Sequence, residues 1–157
     1  MASTFTPAPL NVTIRERITM NGTDYGGITR YTVGSISEIS RRLIATNGTA
    51  STEIIRFEPS ASAGQFVNTD VRYLRITNLD DTNYATLRFQ GSASTDYSFR
   101  LDPTGSHLLM TTQGSGSDDA GVTNYADISG VTLEDLKSIR AIANSASVDL
   151  ELFVASI

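Results

Sequence analysis

The chain of 157 residues has no cysteine, no tryptophan and a single histidine. The absence of cysteine excludes a disulfide framework, a zinc–thiolate site and a thiol nucleophile. One histidine, His107, cannot form a histidine cluster for a metal, and no Gly-x-Ser-x-Gly elbow accompanies it. Glycine-rich phosphate-binding motifs are also missing. We therefore expect a protein that is not an enzyme, with no catalytic residue, cofactor or metal, and we expect His107 in solvent or at the edge of the core.

Charge is scarce as well. Charged residues make up 18% of the chain and the net charge is −5, which makes non-specific binding to nucleic acid or an anionic membrane unfavourable. No apolar run is long enough to span a bilayer as a helix. The N-terminal residues lack the basic and apolar segments of a secretory signal. The sequence therefore predicts neither nucleic acid nor a membrane as a partner.

Two pairs of adjacent aspartates, Asp80–Asp81 and Asp118–Asp119, fall in predicted loops. Calcium takes oxygen ligands from loops of this kind. Neither pair has the alternating Asp-x-Asp-x-Asp spacing of a calcium loop. The favoured interpretation is that both pairs form turns and face solvent, with cation binding as the alternative.

Serine and threonine together number 38, and the apolar residues alternate with polar ones over many short segments. Segments of this kind, separated by turn residues, predict an all-β protein, an antiparallel β-sandwich that is jelly-roll-like, with a barrel as the alternative. Residues 1–9 contain two prolines and small polar residues, which predicts an extended N-terminal arm. Residues 10–157 are predicted to form a single β-sandwich domain.

Turn and strand signals predict the connections. Asn-Gly pairs at Asn21–Gly22 and Asn47–Gly48 favour tight type I′ hairpins with positive φ at each glycine. The spacing of Thr132 and Asp135 resembles a capping box and predicts a short helical turn over Thr132–Leu136. The last two amphipathic segments, Ser138–Ala143 and Val148–Val154, are expected to pair with each other.

The alternation also predicts which side chains form the core. Leu10–Met20 alternates with period two, as in a half-buried strand. The full predicted core is Val12, Ile14, Ile54, Leu74, Ile76, Leu87, Phe89, Phe99, Leu101, Leu109, Ile139, Leu150, Leu152 and Val154.

Three segments carry a resemblance to known proteins: Tyr73–Phe89, Leu101–Met110 and Ser138–Ile157. Their succession of strand, Asn/Asp-rich turn and closing strand resembles the small β-sandwich virion structural proteins of tailed bacteriophages. The resemblance implies a non-enzymatic structural component of the virion, of the head-decoration (cement), neck or tail accessory, or fibre type. It also implies contacts with other virion proteins, such as the major capsid or tail proteins, and a homo-oligomer that is a trimer or a higher ring. It supplies no catalytic residue.

Two features of the residues bear on assembly. Eleven of the twelve basic residues are arginine, which suits either subunit interfaces or cross-strand ion pairs within the chain. Soluble monomers often place lysine on the edge strands of their sheets to prevent association, yet this chain has only a single lysine, Lys137. We predict that the arm packs on a neighbouring subunit and that subunit contacts include arginines from the group Arg15, Arg17, Arg41 and Arg42. Because the arm has no basic residue, the head exterior or the neck and tail are favoured over a position beside the genome.

A second class of function stays open. A β-sandwich can bind a receptor or a glycan through its loops, and sugars stack on exposed aromatic rings. With no tryptophan in the chain, the tyrosines Tyr84, Tyr97 and Tyr125 are the candidates for such a role.

Overall fold

A computed structural model describes residues 6–60, 62, 64–92, 96–110 and 135–157. For residues 113–114 and 134 it describes the backbone. These residues form fourteen strands and no helix, so none of them belongs to a helix that could cross a membrane. The strands are β1 Ala8–Glu16, β2 Thr19–Met20, β3 Thr23–Asp24, β4 Gly27–Ile36, β5 Glu38–Thr46, β6 Thr52–Glu58, β7 Phe66–Val67, β8 Val71–Asn78, β9 Ala85–Gly91, β10 Asp96–Leu101, β11 Ser106–Leu109, β12 Gln113–Gly114, β13 Glu134–Ala143 and β14 Val148–Ser156.

Two sheets form a β-sandwich. Sheet I has the strand order β10-β9-β13-β6-β7, with β12 beside β13, and sheet II has the order β11-β8-β14-β5. Neighbouring strands are antiparallel except for β6 and β7, which are parallel. The predicted all-β antiparallel sandwich is confirmed, and its jelly-roll character stays a prediction.

One apolar core lies between the sheets. It joins Phe89 and Ile139 of sheet I to Ile76 and Leu152 of sheet II, all at most 1% exposed. Ten of the fourteen predicted core residues are buried there, and Phe99 and Leu109 pack at its margin. Alternation with period two explains this success, because one parity of each strand faces the opposite sheet.

Three predicted connections are wrong. Ser138–Ala143 and Val148–Val154 do not pair, since β13 belongs to sheet I and β14 to sheet II. Asn47–Gly48 likewise joins β5 of sheet II to β6 of sheet I, and Gly48 does not have positive φ. Within the predicted helical turn Thr132–Leu136, residues 134–136 are strand, and 132–133 lie outside the described residues.

The N-terminal strands stand apart from both sheets. Among the described strands, β1 pairs only with β4, and the short β2 and β3 pair at the far end around the Asn21–Gly22 turn. We call residues 8–36 the β-ribbon. Asn21 has φ of 49° and Gly22 has φ of 79°, so the predicted tight turn is confirmed. Ala8 and Pro9, which the sequence places in the arm, are the first residues of β1, and residues 1–5 of that arm lie outside the described residues.

Candidate interaction surface

The β-ribbon has one apolar and one polar face. In an antiparallel pair, residues in register point to the same side. Leu10 pairs with Val33, and Val12 with Tyr31, so these side chains form the apolar face. The register adds Ile14 to the apolar face. On the opposite, polar face, Asn11 pairs with Thr32, Thr13 with Arg30 and Arg15 with Ile28.

Only the base of the ribbon packs on the sandwich. Leu10, Val12, Val33 and Ile36 contact a small cluster on the outer face of sheet II, the side turned away from the core. That cluster consists of Tyr73, Leu108, Phe153 and Ala155. A cleft of about 470 Å³ remains between β1 and the outer face of sheet II, with Ile14 and Arg75 among its lining residues. The contact is therefore local and incompletely filled.

Beyond its base, the ribbon has almost no cover from the described part of its own chain. Every residue from Thr13 to Thr32 is exposed. On the apolar face, Ile14 is 38% exposed and Tyr31 is 44% exposed, although Ile14 is a predicted core residue. The tip adds three more exposed apolar side chains, Ile18, Met20 and Tyr25. The core prediction is wrong for Ile14, and Val12 is half-buried at the ribbon base rather than inside the sandwich.

A second exposed apolar group lies on sheet II. The register with β14 places Ile39, Arg41 and Leu43 of the edge strand β5 on the outer face. Ile39 is 60% exposed and Leu43 is 70% exposed. We call these two side chains the β5 stripe. The ribbon base covers part of the β8–β14 half of this face and leaves the β5 stripe open.

An ion network lies beside the β5 stripe. Glu151 is 6% exposed and accepts hydrogen bonds from the guanidinium groups of Arg41 and Arg75, one on each neighbouring strand. The Nε of Arg41 lies 2.8 Å from Oε2 of Glu151. Because a buried carboxylate is costly unless it is paired, these contacts fix Arg41 against the sheet.

Nine of the eleven arginines divide into two groups. Those in ion pairs lie on the sandwich: Arg41, Arg56, Arg75, Arg88, Arg100 and Arg140. Arg15, Arg17 and Arg30 of the ribbon form no ion pair with any described residue. The ion-pair interpretation is therefore confirmed for the six arginines on the sandwich, and the interface interpretation stays a prediction for the three on the ribbon.

Arg42 differs from its neighbour Arg41, because it points toward the sandwich interior. Its guanidinium carbon lies 5.7 Å from the centroid of the Phe66 ring. Its Nε and Nη2 are buried and have no hydrogen-bond partner among the described residues. A subunit contact through Arg42 is thus less accessible than one through Arg15, Arg17 or Arg41.

The tyrosines of the glycan alternative are only partly free. The Tyr97 ring stacks on Phe89 with centroids 4.8 Å apart. The Arg100 guanidinium lies 4.1 Å above the Tyr84 ring. One face of each ring is therefore occupied by the protein itself. Tyr125 lies outside the described residues.

The remaining candidates have local structural roles. Asp80 accepts hydrogen bonds from the backbone N–H groups of Asn83 at 2.6 Å and Thr82 at 2.8 Å, and these bonds lower the pKa of Asp80. Asp81 accepts one from the Thr82 hydroxyl at 2.8 Å. No group of three or more potential metal ligands occurs in the described part of the chain, and Asp118–Asp119 lie outside it.

His107 lies at the core edge, as predicted. Its ring is half-buried against both Phe99 and Phe89, with centroid distances of 4.4 Å and 5.5 Å. Burial lowers the pKa of His107, and its Nε2 has no hydrogen-bond partner among the described residues.

Sequence reasoning does not single out the β5 stripe or Glu151. A signal for the stripe is present, because β5 has apolar residues at both parities: Ile39 and Leu43 point outward while Ile44 packs at the core. A strand with two apolar faces requires cover on both. Glu151 gives no such signal, since its partners come from distant parts of the chain.

Comparison of the chain with protein-family models, with curated proteins and with solved structures gives no match.

Proposed function

We propose that this protein is a non-enzymatic structural component of a phage virion, on the head exterior or in the neck or tail, and that it assembles as a homo-oligomer through the β-ribbon. The assignment to a virion depends on the resemblance of Tyr73–Phe89, Leu101–Met110 and Ser138–Ile157. The assignment of assembly to the ribbon depends on its geometry.

The observation that carries the proposal is the uncovered apolar face of the ribbon. An isolated two-stranded hairpin is only marginally stable in water and needs packing on a hydrophobic face. Here the sandwich of the same chain covers only the base of the ribbon. Ile14 and Tyr31 lie on the same apolar face beyond the base and are exposed to solvent. A neighbouring subunit supplies the missing cover, as in interfaces that bury aliphatic and aromatic anchors.

The test compares two isoleucines on opposite faces of the ribbon. Ile14→Asp places a charge on the apolar face, and Ile28→Asp places the same charge on the polar face, where Ile28 is 49% exposed. We expect the full chain to be oligomeric at micromolar concentration by light scattering after size exclusion. Ile14→Asp should weaken association by about tenfold or more, and Ile28→Asp should leave it close to wild type.

Circular dichroism and urea unfolding of each variant show whether the sandwich is intact. A monomeric full-length protein at high micromolar concentration would contradict the proposal. Equal association of the two variants would contradict the assignment to the apolar face. A glycan array on the same samples addresses the receptor- or glycan-binding alternative, which gains support if the protein is monomeric and binds sugars.

A further inference from the structure

Exposed apolar side chains are concentrated in two places on the described part of the chain. Of twelve exposed large hydrophobic residues, six belong to the β-ribbon and two form the β5 stripe. The other four, Leu79, Tyr97, Met110 and Ile157, lie in the turn after β8, in β10, after β11 and at the C-terminal residue. The ribbon and the β5 stripe are therefore the two apolar groups that need a partner.

The β5 stripe is continuous with a contact that already exists. Phe153 of β14 contributes to the cluster under the ribbon base, and its register partner on β5 is Arg41, which lies between Ile39 and Leu43. The outer face of sheet II thus extends from its own ribbon base to the open edge of β5. Within the described residues, β5 pairs with β14 alone, and an edge strand of this kind can pair with or pack on another chain.

Charge also favours a second copy as the occupant. The ribbon contains three arginines but only two carboxylates, Glu16 and Asp24, which leaves nine basic and fifteen acidic residues elsewhere in the chain. One acidic residue, Asp149, is exposed and pairs in register with Ala45, next to Leu43 on the outer face. A net positive ribbon and the net negative remainder of another copy therefore attract each other at long range, and at the stripe itself the charge of Arg41 is paired with Glu151.

From these observations we infer that the tip of the β-ribbon of one subunit packs on the β5 stripe of the next. This inference rests on the proposed assembly through the ribbon and names its receiving surface. The two contacting surfaces are different parts of the chain, so the interface is heterologous, and repetition around an axis closes a ring. Such a contact agrees with the ring that the resemblance implies.

The absence of cysteine allows a direct test by cross-linking. Met20→Cys marks the ribbon tip and Leu43→Cys marks the β5 stripe, and each variant then has one thiol. The two variants are co-expressed with different affinity tags and treated with a short bismaleimide. Ser98→Cys replaces Leu43→Cys in the matched control, because Ser98 is also exposed but lies on β10, in sheet I.

We expect the Met20→Cys and Leu43→Cys pair to give at least about fivefold more cross-linked heterodimer than the control pair. Leu43→Asp should weaken association by about tenfold while Ser98→Asp leaves it unchanged, as expected for an anchor and a non-contact position. Circular dichroism confirms that each variant is folded.

The outcomes separate this inference from the proposed function. If the protein is oligomeric and Ile14→Asp dissociates it, but cross-linking to position 43 equals the control, the ribbon assembles on another surface and the inference is wrong. The same holds if Leu43→Asp associates normally. If the wild-type protein is a monomer, the proposed assembly itself fails.

Discussion

Replacement of Asn78 tests how the ends of the sandwich are held. Asn78 is fully buried at the end of β8. Its side-chain amide donates to the carbonyl oxygens of Asn83 at 2.9 Å, Asp102 at 3.2 Å and Leu101 at 3.3 Å. Its Oδ1 accepts a hydrogen bond from the backbone N–H of Asp80 at 3.0 Å. One side chain therefore links β8 to the turn before β9 and to the end of β10.

The expected loss of stability follows from these bonds. A hydrogen bond contributes about 1 kcal/mol net, and a buried polar group left without its partner costs about 1–3 kcal/mol. Asn78→Ala removes the side-chain N–H donors from the carbonyl oxygens of Asn83, Leu101 and Asp102, to which water has little access. Since two N–H donors serve three acceptors, we count two full bonds to the amide and one to Oδ1, and we expect the free energy of unfolding to fall by about 3 kcal/mol.

Urea unfolding followed by far-UV circular dichroism measures this change, with tyrosine fluorescence as a second probe. Asn144→Ala is the matched control, because Asn144 is exposed in the β13–β14 connection and its replacement should change stability by less than about 0.5 kcal/mol. Comparable m-values show that the unfolding transition has not changed in character. A loss below about 1 kcal/mol for Asn78→Ala would refute the reasoning, since it would mean that water replaces the amide.

Two further changes test the packing. Gly48→Ala places a Cβ 2.8 Å from the carbonyl oxygen of Ser145, so the free energy of unfolding measured in urea should fall by about 1–3 kcal/mol. Gly34→Ala is the control, because its Cβ has no atom within 4 Å and its effect should be close to zero. Equal effects of the two changes would contradict the close contact at Gly48. Because burial lowers the pKa of His107, protonation favours the unfolded state, so stability should fall as the pH drops below about 6.5 toward the lowered value. Urea titrations between pH 7.5 and about 5.5 should show a smaller pH slope for His107→Leu, and an unchanged slope would contradict the assignment.

The apolar core of the sandwich is predictable from sequence because the pattern that encodes it is local. Leu150, Leu152 and Val154 alternate with polar or outward residues, and each is buried as the parity predicts. Asn78 shows the limit of this reasoning. Its place in an Asn/Asp-rich segment predicts a turn in which side-chain oxygens accept hydrogen bonds from the local backbone, as Oδ1 does from Asp80. The acceptors of its amide, however, include carbonyls 23 and 24 residues away. No local pattern records such partners.

The pairing of strands has the same limit. β13 and β14 are amphipathic and are separated by a short connection, so the sequence predicts a hairpin. A corner that leads from one sheet to the other buries the same side chains in the same core. Because both arrangements satisfy the alternation, burial alone does not distinguish them. The choice depends on β9 and β6, which take the two sides of β13.

For the β-ribbon, the pattern of alternation likewise leaves open which surface covers its apolar face. Alternation along β1 indicates that one face requires cover, but it contains no information about which molecule provides the cover. Leu10 is covered by the cluster on sheet II of its own chain that includes Phe153. Ile14, four residues further along the same face, is exposed. Between Leu10 and Ile14, β1 extends beyond the surface of the sandwich, but its apolar face still carries side chains that need to be covered. An amphipathic strand that extends past its own domain is therefore a reason to look for a second chain, and the surface that we propose for the contact is the exposed β5 stripe of another copy.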